Sequence, residues 1–298
     1  MGYDLTEKAV PQIKEETCAG CGLCVQICGD QVLLVADGKA KAGGGVLMGC
    51  IACGQCAAIC PTGSISVTGR GMTPADTVEL PPAAHRSTAD QLEIMLLARR
   101  SIRRFLDKPV ERATIDRILD MTAMAPMGIP PSDVGVVVFH GHDRVQAFAE
   151  DACQAFDRIA RFFNPVMLTL MRPILGGDGY RVMRGFVKPL LQMLAEKRDK
   201  GEDWFTYHAP AAFLFHYGPM SGPPDCHIAT AYAMLAAESL GLGSCLLGTT
   251  EALNHAKSLK AKYGVPAANK FGLGLVVGYT DAKFRRGITR HLASVRFA

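Results

Sequence analysis

The chain has 298 residues, about half of them apolar and a fifth charged, with a formal net charge of +4. That composition suits a globular protein with a sizeable core and excludes a wholly disordered, collagen-like or coiled-coil chain. The charge is too slight to argue for nucleic acid. Eight of the 11 cysteines lie in residues 1–60, and residues 1–70 carry a formal −1 while the remainder carries +5. The two parts therefore do different jobs. The start, MGYDLTEKAV, lacks an apolar run flanked by positive charge, so no secretory signal is expected. The most apolar long stretch, residues 228–248, carries Glu238 and several glycines and reads as a buried helix with its exit turn, not a membrane span. A reducing, cytoplasmic setting follows as the expectation, with clustered thiols serving metal and not disulfides.

The first element is a doubled motif. Cys18, Cys21, Cys24 and Cys28, then Cys50, Cys53, Cys56 and Cys60, write C-x2-C-x2-C-x3-C twice, the second copy followed by Pro61. Three closely spaced thiolates on a tight loop can face one iron–sulfur cube, and the fourth is carried away on the next helical turn. Zinc would usually take pairs of C-x2-C, and structural thiols have no reason to repeat a spacing. Glycines inside both loops suit a backbone that must wrap a cluster. Residues 32–35 and 65–67 read as short strands, with Asp37-Gly38 as a turn. So small a core needs its clusters to fold. Residues 71–88, with Pro74, Pro81 and Pro82, read as an extended linker.

A capping box, Thr88-Ala-Asp-Gln91, opens a helix in the large part. Then come Arg99, Arg100, Arg103 and Arg104 within six residues. Such a run is often only a solvated face. The alternative is a phosphate clamp, because Arg99 and Arg103, four apart, would face the same way on a helical turn. Residues 111–124 read as a second helix, ending at the irregular loop Ala125-Pro-Met-Gly-Ile-Pro-Pro131. Residues 134–139, 212–217 and 273–277 read as buried strands; 144–163, 226–240 and 251–263 read as helices. Strands separated by helices argue for an α/β or α+β layered domain. The stretch 164–204, with Gly176, Gly177 and Gly179 ahead of a helix at 182–199, reads as a lid-like insertion. Tyr180, Arg181, Trp204 and His208 are its candidate substrate-facing groups, weighed against ordinary surface or packing roles. Cys153, Cys226 and Cys245 read as small buried hydrophobes.

Taken in order, Arg99-x-Ser101-x-Arg103-x-Phe105, Ala125-Pro-Met-Gly128, Glu238-Ser-Leu-Gly-Leu-Gly-Ser-Cys-Leu-Leu-Gly248 and Gly278-Tyr-Thr-Asp-Ala-Lys-Phe-Arg-Arg286 resemble the nitroreductase family of FMN flavoproteins over residues 89–298. Residues 1–70 resemble a bacterial two-cluster ferredoxin. The resemblance implies an α+β fold, a mixed sheet flanked by helices, built as a homodimer with FMN at the interface. It implies that Arg99, Ser101 and Arg103 hold the FMN phosphate, with Arg285 and Arg286 reaching it from the chain's end. It places Pro126, Met127 and Gly128 along the flavin and Leu247 and Gly248 by its ring. The ferredoxin resemblance implies two [4Fe–4S] clusters with crossed ligands: Cys18, Cys21, Cys24 and Cys60 on one, Cys50, Cys53, Cys56 and Cys28 on the other. Ile129-Pro-Pro-Ser132 departs from the family's usual polar residues at the flavin edge. The expected activity is an oxidoreductase carrying electrons from a redox protein or NAD(P)H through the clusters to FMN and on to a small acceptor such as a nitroaromatic or quinone. The alternative is an electron-transfer module with no small substrate.

Overall fold

The computed structural model describes residues 7–44, 48–130, 132–162 and 165–297. Pro131 of the irregular loop after Ala125, Phe163 at the expected end of its helix and Asn164 at the start of the insertion lie outside the described residues. The chain divides into two compact units. One is Met1–Arg86 together with Met127–Asp133; the other is Ser87–Pro126 with Val134–Ala298.

In the first unit, β1 (Val10–Ile13) pairs antiparallel with β4 (Ile65–Thr68), bringing the ends of the cysteine region together. Between them, β2 (Leu33–Ala36) and β3 (Lys39–Ala42) form a hairpin. Its turn is the expected Asp37-Gly38, both residues left-handed at φ 52° and 72°. β3 reads Lys-Ala-Lys-Ala and buries only Ala40, so its strand character was invisible to an apolar-run reading. Two short helices, α1 (Leu23–Gln26) and α2 (Gln55–Ile59), each follow a left-handed glycine, Gly22 at φ 74° and Gly54 at φ 70°. A side chain at either would strain the turn that swings the third cysteine of each motif inward. The core is small: Val32, Leu33, Ile65 and Val67 with a few alanines, closed by Cys24 and Cys56. Residues 71–88 contain two single turns of 3-10 helix, at Pro74–Asp76 and Ala83–His85.

The second unit is built on an antiparallel sheet in the order β5 (Val134–His140), β6 (Ala211–Tyr217), β8 (Lys270–Gly278), β7 (Gly243–Leu247). β7 gains one parallel bridge on its free edge, from Ser244 to Ser101, which gives the sheet its mixed character. β6 is buried on both faces. Ala211, Phe213 and Phe215 point to one layer, with α4 (Arg112–Ala123) and α8 (Pro223–Ser239). Ala212 and Leu214 point to the other, with α5 (His142–Phe162) and α7 (Lys188–Asp199). This period-two division explains why the strand reads as one continuous apolar run. α8 meets the sheet through Cys226, Ala229, Ala233, Ala236 and Ala237, small enough for close approach.

Three expectations need correction. The helix expected over 226–240 is α8, ended by left-handed Gly241 (φ 76°), but the stretch beyond it to Gly248, expected as an exit turn, holds strand β7 at residues 243–247. Residues 251–263 are not one helix. The chain makes 3-10 turns to His255, and only α9 (Lys257–Lys262) is α-helical. Here Asn254 bonds the β8 backbone, donating from Nδ2 to the Phe271 carbonyl and accepting the Phe271 N–H, both at 2.8 Å. That tertiary pairing overrides local propensity. The glycines of the insertion lie inside a helix, α6 (Pro165–Val182), kinked at Gly176 (φ 69°), followed by a π turn at Met183–Val187. Among the described residues, no helix is long and apolar enough to cross a membrane.

Candidate functional site

The cysteine loops sort themselves into two groups. Cys18, Cys21, Cys24 and Cys60 line one cavity, roofed by Ile13 and Ile65. Burial pushes the Cys24 thiol up, and the neighbouring charges of Cys60 and Cys18 add to this. Burial likewise raises Cys50, where Cys53 and Cys28 add to it, and pushes Cys56 up to about 11, where Cys50, Cys53 and Cys28 contribute. The last cysteine of each motif thus stands among the first three of the other. Cys18 is held low by N–H groups of Ala40 and Gly20. Burial raises Cys60, but bonds from Thr62, Ser64 and Ile65 outweigh it and leave the thiol low; the Ser64 N–H reaches its Sγ at 3.3 Å. These are donors aimed at thiolate sulfur, as a cluster ligand requires. Among the described residues, no three His, Cys, Asp or Glu side chains converge as they would on a single ion. The donor set, all thiol and ringed around a space, fits an iron–sulfur cluster.

The arginine-rich segment is extended, not helical. α3 (Ala89–Ala98) ends before it, and Ser101 bridges to Ser244 on β7. The expected same-facing of Arg99 and Arg103 therefore has another cause: alternation along an extended chain, which adds Ser101 to the same side. Ile102 faces the other way, buried against Gly243. All three polar side chains act on buried Cys245 of β7, whose thiol burial pushes up and whose anion Arg103, Ser101 and Arg99 favour. Arg99 also opposes the rise that burial imposes on Glu238. Arg104 is spent elsewhere, paired with Asp281. The guanidinium of Arg103 lies 6.0 Å from the centre of the Tyr207 ring. A cavity of about 410 Å³ opens here, lined by Arg103, Phe105, Trp204, Tyr207 and His208 among others. Beside this segment the Ser244 hydroxyl is fully buried, with no hydrogen-bond partner among the described residues. Leu247 is buried, whereas the space around Gly248 is open to 4 Å from where a side chain would start. Two guanidinium groups, a hydroxyl, an orphaned buried oxygen and open space suit an anionic cofactor with a flat body.

A model of the nitroreductase family matches residues 96–279, well over half of the chain. The chain belongs to that family. It is an FMN-dependent oxidoreductase. A model of the 4Fe-4S dicluster domain matches residues 10–61. The nitroreductase unit is similar to a solved nitroreductase with bound FMN from Bacteroides fragilis, at 19% identity and a TM-score of 0.52, covering 70% of this chain and 98% of that one. An FMN-dependent nitroreductase from Clostridium difficile is similar at 16% identity and a TM-score of 0.50, covering 70% and 100%. At such identities the likeness is one of fold. No curated protein matches the chain.

Within the nitroreductase unit, Arg99, Ser101, Arg103 and Leu247 gather around Cys245 and β7, and Gly248 follows directly. Pro126 ends one stretch of that unit, while Met127 and Gly128 belong to the other compact unit. Arg285 and Arg286 are exposed in a tail, residues 279–297, without regular structure; among the described residues no hydrogen bond or ion pair joins them to Arg99–Arg103. Trp204 and His208 share the cavity with Arg103, but Tyr180 and Arg181 stay on α6 near Arg172 and Asp178.

Two residues escaped the sequence reading. Tyr207 carries the aromatic wall, and Asp203 builds the turn that presents it. The Asp203 carboxylate accepts the N–H groups of Phe205 (3.0 Å), Thr206 (2.7 Å) and His208 (2.9 Å) and the Thr206 hydroxyl. This holds Tyr207 and His208 left-handed at φ 57° and 53°. An aspartate able to bond the backbone that follows it was the available signal.

Proposed function

We propose that this nitroreductase-family protein relays electrons from two [4Fe–4S] clusters in residues 1–70 to FMN in residues 89–298, joined by a linker over 71–88, and reduces a conjugated small molecule, a nitroaromatic or quinone. The observation that carries the reading is the sorting of eight cysteines into two sets of four, each set mixing both motifs, on a chain of this family. When bound, the clusters supply single-electron transfer and FMN supplies a two-electron store. Cys18, Cys21, Cys24 and Cys60 would hold one cluster, and Cys50, Cys53, Cys56 and Cys28 the other. Arg99, Ser101 and Arg103 would bind the FMN phosphate, with Arg285 and Arg286 reaching it from the tail. Leu247 would pack against the ring and the Gly248 backbone would donate to it, while Pro126, Met127 and Gly128 would line the flavin from their loop.

Support for a small acceptor comes from the cavity beside Arg103, walled by Trp204, Tyr207 and His208. Aromatic walls suit a flat conjugated molecule. The electron donor in this reading is a redox protein or NAD(P)H. The assembly is a homodimer: α3 buries no residue, and Ile94, Ile288, Leu292 and Phe297 are exposed apolar groups that a second copy would cover. The setting is the cytoplasm, where clusters and free thiols persist.

Anaerobic purification with iron, sulfide and flavin quantified tests this directly. About eight irons and about one FMN per chain are expected from the ligand count. Zinc in place of iron, or no yellow chromophore, would sink it. Turnover of a nitro compound or quinone by the loaded protein supports the enzyme; a reduced flavin that passes electrons only to a protein partner would make the chain a carrier.

A further inference from the structure

β4 runs into a two-residue turn, Gly69-Arg70-Gly71-Met72, closed by Gly69 N–H to Met72 carbonyl at 3.1 Å and the reverse bond at 3.0 Å. Arg70 (φ 51°) and Gly71 (φ 78°) are both left-handed. This geometry favours Asn-Gly, and an arginine in its first position is strained. The arginine is also buried, 8% exposed. Its guanidinium donates to the Glu7 carbonyl at 3.2 Å and to the Pro130 carbonyl at 2.8 Å. Two residues on from Glu7, the Ala9 N–H donates to the Cys50 carbonyl at 3.3 Å, which places the guanidinium's anchor beside that cysteine loop. Met72 lies against the second cysteine loop, its Cε 2.6 Å from where a Gly54 side chain would begin. All of these residues lie in the iron–sulfur unit, which includes Met127–Asp133 although that segment is remote in sequence.

A strained backbone, a buried charge and two distant carbonyl acceptors on one residue need a common reason. We propose that Arg70 is a positioning residue: from the turn over the second cysteine loop it fixes Met127–Asp133 to the iron–sulfur unit and sets positive charge beside the Cys50 cluster. The proposal rests on the reading above for the segment's role along the flavin. Arg70 thereby makes one rigid piece of the cluster loop and a flavin-lining segment.

The test uses the full chain loaded with clusters and FMN, kept anaerobic. Arg70→Asn suits the left-handed turn and removes the guanidinium. Hydrogen exchange at the backbone amides of Gly128, Ile129, Ser132 and Asp133 should quicken about tenfold or more, the scale of a lost charge-assisted bond. The midpoint potential of one cluster should fall, because a nearby cation favours the added electron. Unchanged exchange with unchanged potentials would overturn the proposal. If Arg70→Asn loses iron, Arg70→Lys decides. Lysine keeps the charge but cannot span both carbonyls, so exchange should stay fast with a native potential, and native exchange would reject the strut. A protein with clusters but no FMN would refute the flavin reading alone, since exchange and cluster potential report on Arg70 without it.

Discussion

The Ile102 N–H donates to the Ser244 carbonyl at 2.9 Å, and through this bond the arginine-bearing segment becomes an edge of the nitroreductase sheet. The contact is tight. A side chain at Gly243 would begin 2.7 Å from Ile102 Cγ1 and 3.0 Å from its Cβ. Gly243→Ala should therefore cost about 1–3 kcal/mol and loosen FMN by shifting Ser101 and Arg103 together. Thermal unfolding and flavin retention on dilution check both parts; a stable, fully yellow variant would show that the edge is not tied this way.

Arg103→Ala isolates the cation. FMN affinity should fall about tenfold or more, the worth of a charge-assisted contact to phosphate, while iron content stays unchanged. Flavin content that is unaltered after gel filtration would reject Arg103 as part of the clamp.

Single cysteine variants separate crossed from sequential ligation. Cys60→Ala should damage the cluster that Cys18, Cys21 and Cys24 share, and Cys28→Ala the one that Cys50, Cys53 and Cys56 share. Each variant should retain about half of the iron. Pairing either variant with loss of a first-motif or second-motif cysteine, and reading the remaining cluster by electron paramagnetic resonance, assigns it. Sequential ligation would exchange the two results.

Asp203 is the keystone of the aromatic wall. Asp203→Ala removes an acceptor shared by three backbone N–H groups and a hydroxyl. A loss of about 2 kcal/mol is expected, together with a raised KM for a flat acceptor as Tyr207 and His208 leave their left-handed conformation. Urea unfolding and steady-state kinetics measure the two effects.

The Tyr279 hydroxyl donates to Glu111 at 2.6 Å where the tail leaves β8. This bond holds the Glu111 carboxyl below its ordinary range. The contribution is complete above the usual carboxylate range, where Glu111 is charged folded or unfolded. It fades as pH falls through the lowered folded value. Tyr279→Phe should accordingly destabilise the protein near neutrality and converge on the parent in acid. Melting both proteins from pH 7 to pH 3 tests the convergence.

The legible features were those with strict spacing or strong chemistry. The doubled cysteine motif, the Asp37-Gly38 turn, the Thr88–Gln91 capping box and the apolar run of β6 all announce their local structure. β3 was hidden because an outward-facing Lys-Ala alternation lacks an apolar signature. β7 was hidden because five small and apolar residues set between glycines after a helix read equally well as its exit turn. The arginine segment was found by composition, but its shape depends on Ser244, more than a hundred residues away. Arg70 was passed over for the same reason, since only the folded chain brings the Glu7 and Pro130 carbonyls within its reach.

The mixing of early and late cysteines around the Cys18 cavity bears on how the small unit is made. On the proposed crossed ligation, neither half of the stretch from Cys18 to Cys60 could be finished alone, since each would borrow its last sulfur from the other. On that ligation either cluster, once inserted, already ties the two ends of the stretch together, so the first to arrive shapes both loops for the second.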